Sequence, residues 1–288
     1  MFSLCSTKME YSTIYSELNK NQQKAVDTIE GCVMVVAGPG TGKTQVLGAR
    51  VASILTTTDA SPENIICLTF TEAATVALRL RLVKFLGSGA YRVNIYTYHG
   101  FCNTVIQENK DLFGIQDIDP VSELETIEII HEIIDELPNN SLLKRFTGEV
   151  YYDTNDLKKL VGLLKKDNLD RIKVAKKIEL AKEEYLSLDS SYYQKKYKDF
   201  AKGDLKQKAF DVHCASLDKL QEACNLLDIY DAKLKTRKRY DFSDMLAWVL
   251  HALQTNEELL LKYQEQYQYF LVDEYQDTNG IQNDLLYT

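Results

Sequence analysis

No run of 18 apolar residues occurs in this 288-residue chain, so no segment is suited to crossing a bilayer as a helix. Residues 1–16 lack the charged-then-apolar order of a secretory leader. The six cysteines (Cys5, Cys32, Cys67, Cys102, Cys214 and Cys224) are scattered, with no Cys-x-x-Cys, and the four histidines have no metal-ligand spacing. Structural zinc is therefore not expected, and reduced thiols in a cytoplasmic protein are. Proline is scarce, at four residues, and none lies beyond Pro138. Glycine is also sparse in the middle of the chain, which predicts long helices with short links there. No internal repeat or low-complexity tract is present.

Against this background two short strings carry chemistry. Cys32-Val33-Met34-Val35-Val36-Ala37 is an apolar, β-branched run without polar alternation, the pattern of a strand buried on both faces. It leads into Ala37-Gly38-Pro39-Gly40-Thr41-Gly42-Lys43-Thr44 and then into a helical pattern from Thr44 and Gln45 to Val51. Strand, glycine-rich loop and helix form the setting in which backbone N–H groups converge on phosphate oxygens. Lys43 would reach the β- and γ-phosphates and Thr44 would ligate Mg²⁺. Ala37 replaces the usual first glycine, at a position that mainly ends the strand. The bland alternative is a glycine turn without a ligand, and Gly-Lys-Thr directly after an apolar strand weighs against it.

The second string follows another short apolar run, Tyr269-Phe270-Leu271-Val272, which ends in Asp273-Glu274. A carboxylate at the carboxyl edge of a parallel strand lies where open α/β sheets bind ligands. Asp273 would hold Mg²⁺, and Glu274 would orient or deprotonate the water attacking the γ-phosphate. Such a pair alone is usually a solvated loop feature; the phosphate loop in the same chain favours a role in chemistry.

With both strings in place, the chain resembles a UvrD/Rep-type superfamily 1 DNA helicase. Leu18-Asn19-Lys20-Asn21-Gln22-Gln23 resembles the family's Q motif, which implies that the Gln22 amide reads the adenine edge. Leu68-Thr69-Phe70-Thr71-Glu72-Ala73-Ala74 is similar to its motif Ia, and Tyr96-Thr97-Tyr98-His99-Gly100-Phe101 to the motif after the third strand. Tyr240-Asp241-Phe242-Ser243-Asp244-Met245 resembles a signature ahead of the acidic strand, and Asp273-Glu274-Tyr275-Gln276-Asp277-Thr278-Asn279 with Gln282 resembles motif II. Relatives commonly carry Asn-Lys where this chain has Glu72-Ala73, and Arg where it has Gln45.

The resemblance implies an α/β fold, a P-loop NTPase parallel sheet (a RecA-like lobe) with an inserted all-helical subdomain. It implies ATP and Mg²⁺ as ligands, single-stranded or partly duplex DNA as partner, and catalytic roles for Lys43, Asp273, Glu274 and Gln276. Phe70, Tyr98 and His99 become candidates for DNA contact. It further implies 3′-to-5′ movement along DNA, completed by a second motor lobe of the same polypeptide that lies past residue 288. The expectation is a span that binds Mg·ATP weakly, hydrolyses it slowly and does not unwind DNA. The rival readings are the motor portion of a helicase–nuclease and a non-motor DNA-binding scaffold with a residual ATP site.

The expected boundaries are an arm over 1–17, a first ATPase segment over 18–111 with strands at 32–37, 65–70 and 93–97, a helical insertion over 112–235, and a second ATPase segment over 236–288. The net charge of −8 conceals an asymmetry. Residues 158–239 hold 21 Lys/Arg against 13 Asp/Glu, while the remainder holds 13 against 29. That segment reads equally as a phosphate-backbone footprint or as helices with lysine-rich solvated faces. Tyr192, Tyr193, Tyr197 and Phe200 are tempting as base-stacking residues, but their spacing more simply predicts packing between helices.

Overall fold

The computed structural model describes residues 11–13, 15–114, 118–145, 148–169 and 171–288. Cys5 and most of the expected arm lie outside them. In chain order come α1 (Lys20–Asp27), α2 (Lys43–Thr57), β1 (Ile65–Thr69), α3 (Glu72–Leu86), β2 (Asn94–Thr97), α4 (Tyr98–Glu108) and α5 (Lys110–Phe113). Then follow β3 (Asp119–Pro120), α6 (Glu123–Glu136), α7 (Thr154–Lys166), α8 (Arg171–Ser187), α9 (Gln207–Thr236) and β4 (Arg239–Tyr240). The chain closes with α10 (Phe242–Thr255), α11 (Glu257–Gln266), β5 (Tyr269–Val272) and α12 (Gly280–Tyr287). Residues up to Gly114 and Trp248–Thr288 form one compact unit, and Ile115–Ala247 a second.

The first unit is built on a parallel sheet in the order β2-β1-β5, with Cys67 of β1 opposite Ile95 on one side and Leu271 on the other. β1 is buried along its whole length, as the unbroken apolar string Ile65-Ile66-Cys67-Leu68 requires. Leu78 and Leu82 of α3 and Val51 and Ile54 of α2 pack into the same core. Arg50 ties α2 to the end of α1 by donating to the carbonyls of Ala25, Thr28 and Ile29. This holds the phosphate loop's helix against the segment that carries Gln22.

The expected strand at 32–37 is a correction. Those residues are not laddered to any strand among the described residues, and Met34 and Val36 are 73% and 92% exposed. Apolar, β-branched composition favours a covered strand only where a neighbouring strand supplies hydrogen bonds and a face. Here the sheet stops at β5, where Phe270 is half exposed, so Cys32 is exposed as well. Cys67 is buried as expected.

Among its described residues the second unit is mainly helical, with the two-residue pairing of β3 with β4 and two isolated antiparallel bridges, Tyr192 with Leu205 and Tyr197 with Phe200. Ile130 and Ile134 of α6, Leu157 and Val161 of α7, and Leu226 and Tyr230 of the 30-residue α9 share one core. Leu124, at the same helical spacing, is 68% exposed because it lies in the first turn, short of that core. The α6 N-terminus carries a capping box: Ser122 Oγ accepts from Glu125 N–H, and the Glu125 carboxylate accepts from Ser122 N–H.

Candidate nucleotide site

The loop before α2 owes its shape to two glycines in the left-handed region, Gly40 at φ 74° and Gly42 at φ 84°. A side chain at either position would be strained, and at Gly42 a Cβ would also press within 3.3 Å of Gln22 Nε2. Gly42 caps α2 without any side-chain hydrogen bond, and Gln45 N–H and Val46 N–H donate to its carbonyl. Thr41 Oγ1 closes the loop by donating to Gly38 O at 2.7 Å. A 15-residue helix opening on glycines, with Lys43 as its first residue, suits an oxyanion by geometry and by dipole.

Gln22 is the outer wall of this loop. Its Nε2 donates to Thr41 O at 3.0 Å, while its Oε1 accepts from Asn19 N–H at 2.9 Å as the third residue of the α1 capping box. The segment expected to read adenine is thereby latched to the segment expected to hold phosphates.

The acidic strand delivers the second half. Asp273 N–H donates to Leu68 O at 2.9 Å, extending the β5–β1 ladder to the first carboxylate. Glu274 follows at φ 52°, a conformation uncommon for a residue with a side chain. Its carboxylate accepts from Lys43 Nζ at 2.8 Å and also from Gln276 Nε2. The hydrogen bond from Lys43 holds the Glu274 carboxyl below the usual range, and the same contact raises the Lys43 ammonium. Asp273 moves the other way, pushed up by burial and then by the neighbouring Glu274 charge. One carboxylate is thus held charged by a lysine, while its neighbour is left seeking a cation.

The donor set fits a hard cation: a half-buried carboxylate in Asp273 and a hydroxyl in Thr44. Among the described residues there is no cluster of three or more His, Cys, Asp or Glu of the kind an all-protein metal cage needs.

The remaining motif residues have mixed placements. Phe70, in the turn after β1, is 48% exposed. His99 is half-buried, whereas Tyr98 is only 2% exposed, and burial pushes its hydroxyl pKa up. A covered Tyr98 ring has no open face for a base, which leaves Phe70 and His99 as the accessible candidates. Glu72 accepts from Thr97 Oγ1 at 3.0 Å, joining the two motif turns, a contact with no local signal in the chain. Thr71 and Thr97 cap α3 and α4, so both turns are held by hydroxyls as well. Gln282 of motif II is buried and serves the α12 capping box with Asn279.

A family model described as the UvrD/REP helicase N-terminal domain matches residues 18–288. The chain belongs to this family. It is 27% identical over 275 residues to the ATP-dependent DNA helicase PcrA of Staphylococcus aureus strain Mu50, an alignment covering 96% of this chain and 32% of that protein. The helicase of the same name from Leuconostoc citreum is 26% identical over 278 residues, covering 95% of this chain and 31% of that protein. The chain spans about a third of the length of these relatives. Within the family frame the parallel sheet is the P-loop NTPase lobe and the helical unit is its insertion.

Proposed function

We propose that Lys43, Thr44, Asp273 and Glu274 form the ATP hydrolysis site of a DNA motor of the UvrD/REP type. The reading rests above all on the Lys43–Glu274 contact, which joins two motifs 231 residues apart in the chain. In this reading the backbone of Ala37 to Lys43 surrounds the phosphates, Lys43 neutralises the β- and γ-oxygens, and the Gln22 amide turns from Thr41 to the adenine edge. Gln45, where relatives carry arginine, lies in the first turn of α2 beside the phosphates. Thr44 and Asp273 would hold Mg²⁺, which would supply charge neutralisation on the transferred phosphoryl group. Glu274, oriented by Gln276, accepts the proton of the attacking water.

The parent protein would couple this cycle to 3′-to-5′ movement on single-stranded DNA and to duplex unwinding, in the cytoplasm. Residues 18–111 with 236–288 form the motor lobe in this assignment, and 112–235 the insertion. Among the described residues Glu274 has Lys43 as its only cationic partner. An arginine supplied to a phosphoryl-transfer site is worth roughly 10³–10⁵ in kcat. The 288-residue chain alone is therefore expected to bind Mg·ATP with little turnover. Phosphate release and strand separation on a 3′-tailed duplex, measured with the purified chain, test this. Slow release without unwinding is expected; unwinding by this span would overturn the reading.

A further inference from the structure

The basic stretch of the second unit divides into two populations. On its helices about half of the cations are spent within the unit. Lys158 pairs with Glu123, Lys182 with Glu179 and Asp218, Lys219 with Asp153, and Lys233 with Glu132 and Glu136. Lys165 is buried between Asp231 and Asp244. These lysines are neutralised locally, whereas Lys159, Lys166, Lys176, Lys177 and Lys235 are exposed and in no ion pair among the described residues, but no aromatic ladder accompanies them.

Residues 192–208 are different, carrying six lysines against two aspartates in a chain of net charge −8. Among the described residues, no ion pair involves Lys195, Lys196, Lys198 or Lys202, and all four are exposed. Asp204, one of the two acids, is occupied in accepting the Ala201 N–H at 2.7 Å.

This segment is an ordered hairpin-like excursion between α8 and α9. Tyr193 N–H donates to Asp204 O at 2.9 Å, and Lys206 N–H to Ser191 O at 2.9 Å. Tyr197 and Phe200 exchange backbone hydrogen bonds at 3.0 Å around the two-residue turn Lys198-Asp199. The aromatics do not pack between helices, which corrects the expectation from their spacing. They form a ladder of nearly parallel rings instead. Tyr193 lies 6.0 Å from Tyr197 at 8° and 4.8 Å from Phe200 at 10°. Tyr197 is 55% exposed and Phe200 40%. Lys198 and Lys206 sit over rings of the ladder, 5.5 Å from Tyr197 and 5.9 Å from Tyr193.

We propose that the 192–206 hairpin binds single-stranded nucleic acid, with bases stacking on the exposed Tyr197 and Phe200 rings and Lys195, Lys196, Lys198 and Lys202 contacting phosphates. Parallel rings held by a hydrogen-bonded backbone offer a base a flat face already in position. Unpaired lysines around them supply the electrostatic term that any polynucleotide requires. Duplex DNA keeps its bases stacked inside, so it can use the lysines but not the rings. The site is separate from the nucleotide site and does not rest on it.

The test is fluorescence anisotropy of the full chain with labelled oligo(dT), oligo(U) and a hairpin duplex across a salt series. Y197A/F200A should weaken oligo(dT) binding by about tenfold. K195A/K196A/K198A/K202A should flatten the slope of log K against log salt by about 2–3. Oligo(U) bound as well as oligo(dT) makes the site indifferent to the sugar, and weaker oligo(U) binding makes it DNA-selective; both support the proposal. Should Y197A/F200A fail to fold, Y197L/F200L keeps apolar bulk without ring faces and should show the same loss. Lys43→Ala separates the two sites, because it should lose Mg·ATP while keeping oligo(dT) affinity. The proposal is overturned by absence of oligo(dT) binding, by duplex binding at least as tight as oligo(dT), or by ring variants that lower only the thermal midpoint. A lysine variant with an unchanged salt slope overturns it equally.

Discussion

Lys43 Nζ and Glu274 Oε2 are 2.8 Å apart, so the proposed phosphate-binding cation and the proposed base hold each other. On the proposed reading, an arriving nucleotide would have to draw Lys43 away from Glu274, and the same exchange would free the carboxylate for water.

Glu274→Gln removes Lys43's competing partner and one negative charge beside the phosphates. Mg·ATP affinity should rise by up to about fivefold. Single-turnover hydrolysis should fall by roughly 10²–10⁴. Titration with a fluorescent ATP analogue, paired with phosphate release, reads both. A loss of affinity in this variant would contradict the competition.

Asp273→Asn should leave the fold intact while removing the Mg²⁺ dependence of ATP binding. The backbone N–H of residue 273 still ladders to Leu68 O at 2.9 Å whatever the side chain. Isothermal titration with and without Mg²⁺ checks this, and an unchanged Mg²⁺ requirement would place the ion elsewhere.

In the helical unit, Lys165 donates to Asp244 at 2.7 Å and Asp231 at 2.8 Å, with its side chain only 6% exposed. Burial pulls the ammonium pKa down, but the two carboxylates more than offset it, and Lys165 stays charged. Lys165→Met strands both acids and should cost about 3 kcal/mol, the lower end for a broken buried pair because Asp231 is half exposed. Adding Asp244→Asn should cost less than the sum of the single changes. Urea unfolding of the four species measures the coupling; strict additivity would refute it.

Acid stability has a named contributor in Glu125. The Ser122 N–H, followed by Arg239, whose Nε donates at 2.9 Å, holds this carboxyl down at about 2. A depressed carboxyl stabilises the fold above its unfolded value, and that share is lost as pH falls from the ordinary glutamate range toward about 2. Glu125→Gln should therefore be less stable than the parent near neutrality, with the gap closing on acidification. Thermal melts followed by circular dichroism across that range decide it, and a gap independent of pH would remove Glu125 from the account.

The strands at β1, β2 and β5 and the helix at α2 were legible because unbroken apolar runs and glycine punctuation are local signals. The turn before α2 was legible because its glycines are demanded by backbone angles, positive at Gly40 and Gly42. The 32–37 run misled because a strand's burial depends on a neighbour its own residues do not specify. The covering of Tyr98 was illegible for the opposite reason: its motif position says nothing of the core around it. The burial of Lys165 within the basic 158–239 stretch was illegible, since one lysine looks like another until Asp231 and Asp244 close around it. The 192–206 hairpin left a readable trace in the two-residue turn between Tyr197 and Phe200, outweighed there by the surrounding helical periodicity.

The central claim is that Lys43 and the Asp273-Glu274 pair form one Mg·ATP site, and isothermal titration of the parent chain and Lys43→Ala tests it most directly. The account predicts Mg²⁺-dependent binding in the parent and none detectable in Lys43→Ala, with unfolding midpoints alike. Equal ATP affinity in the two proteins would contradict it.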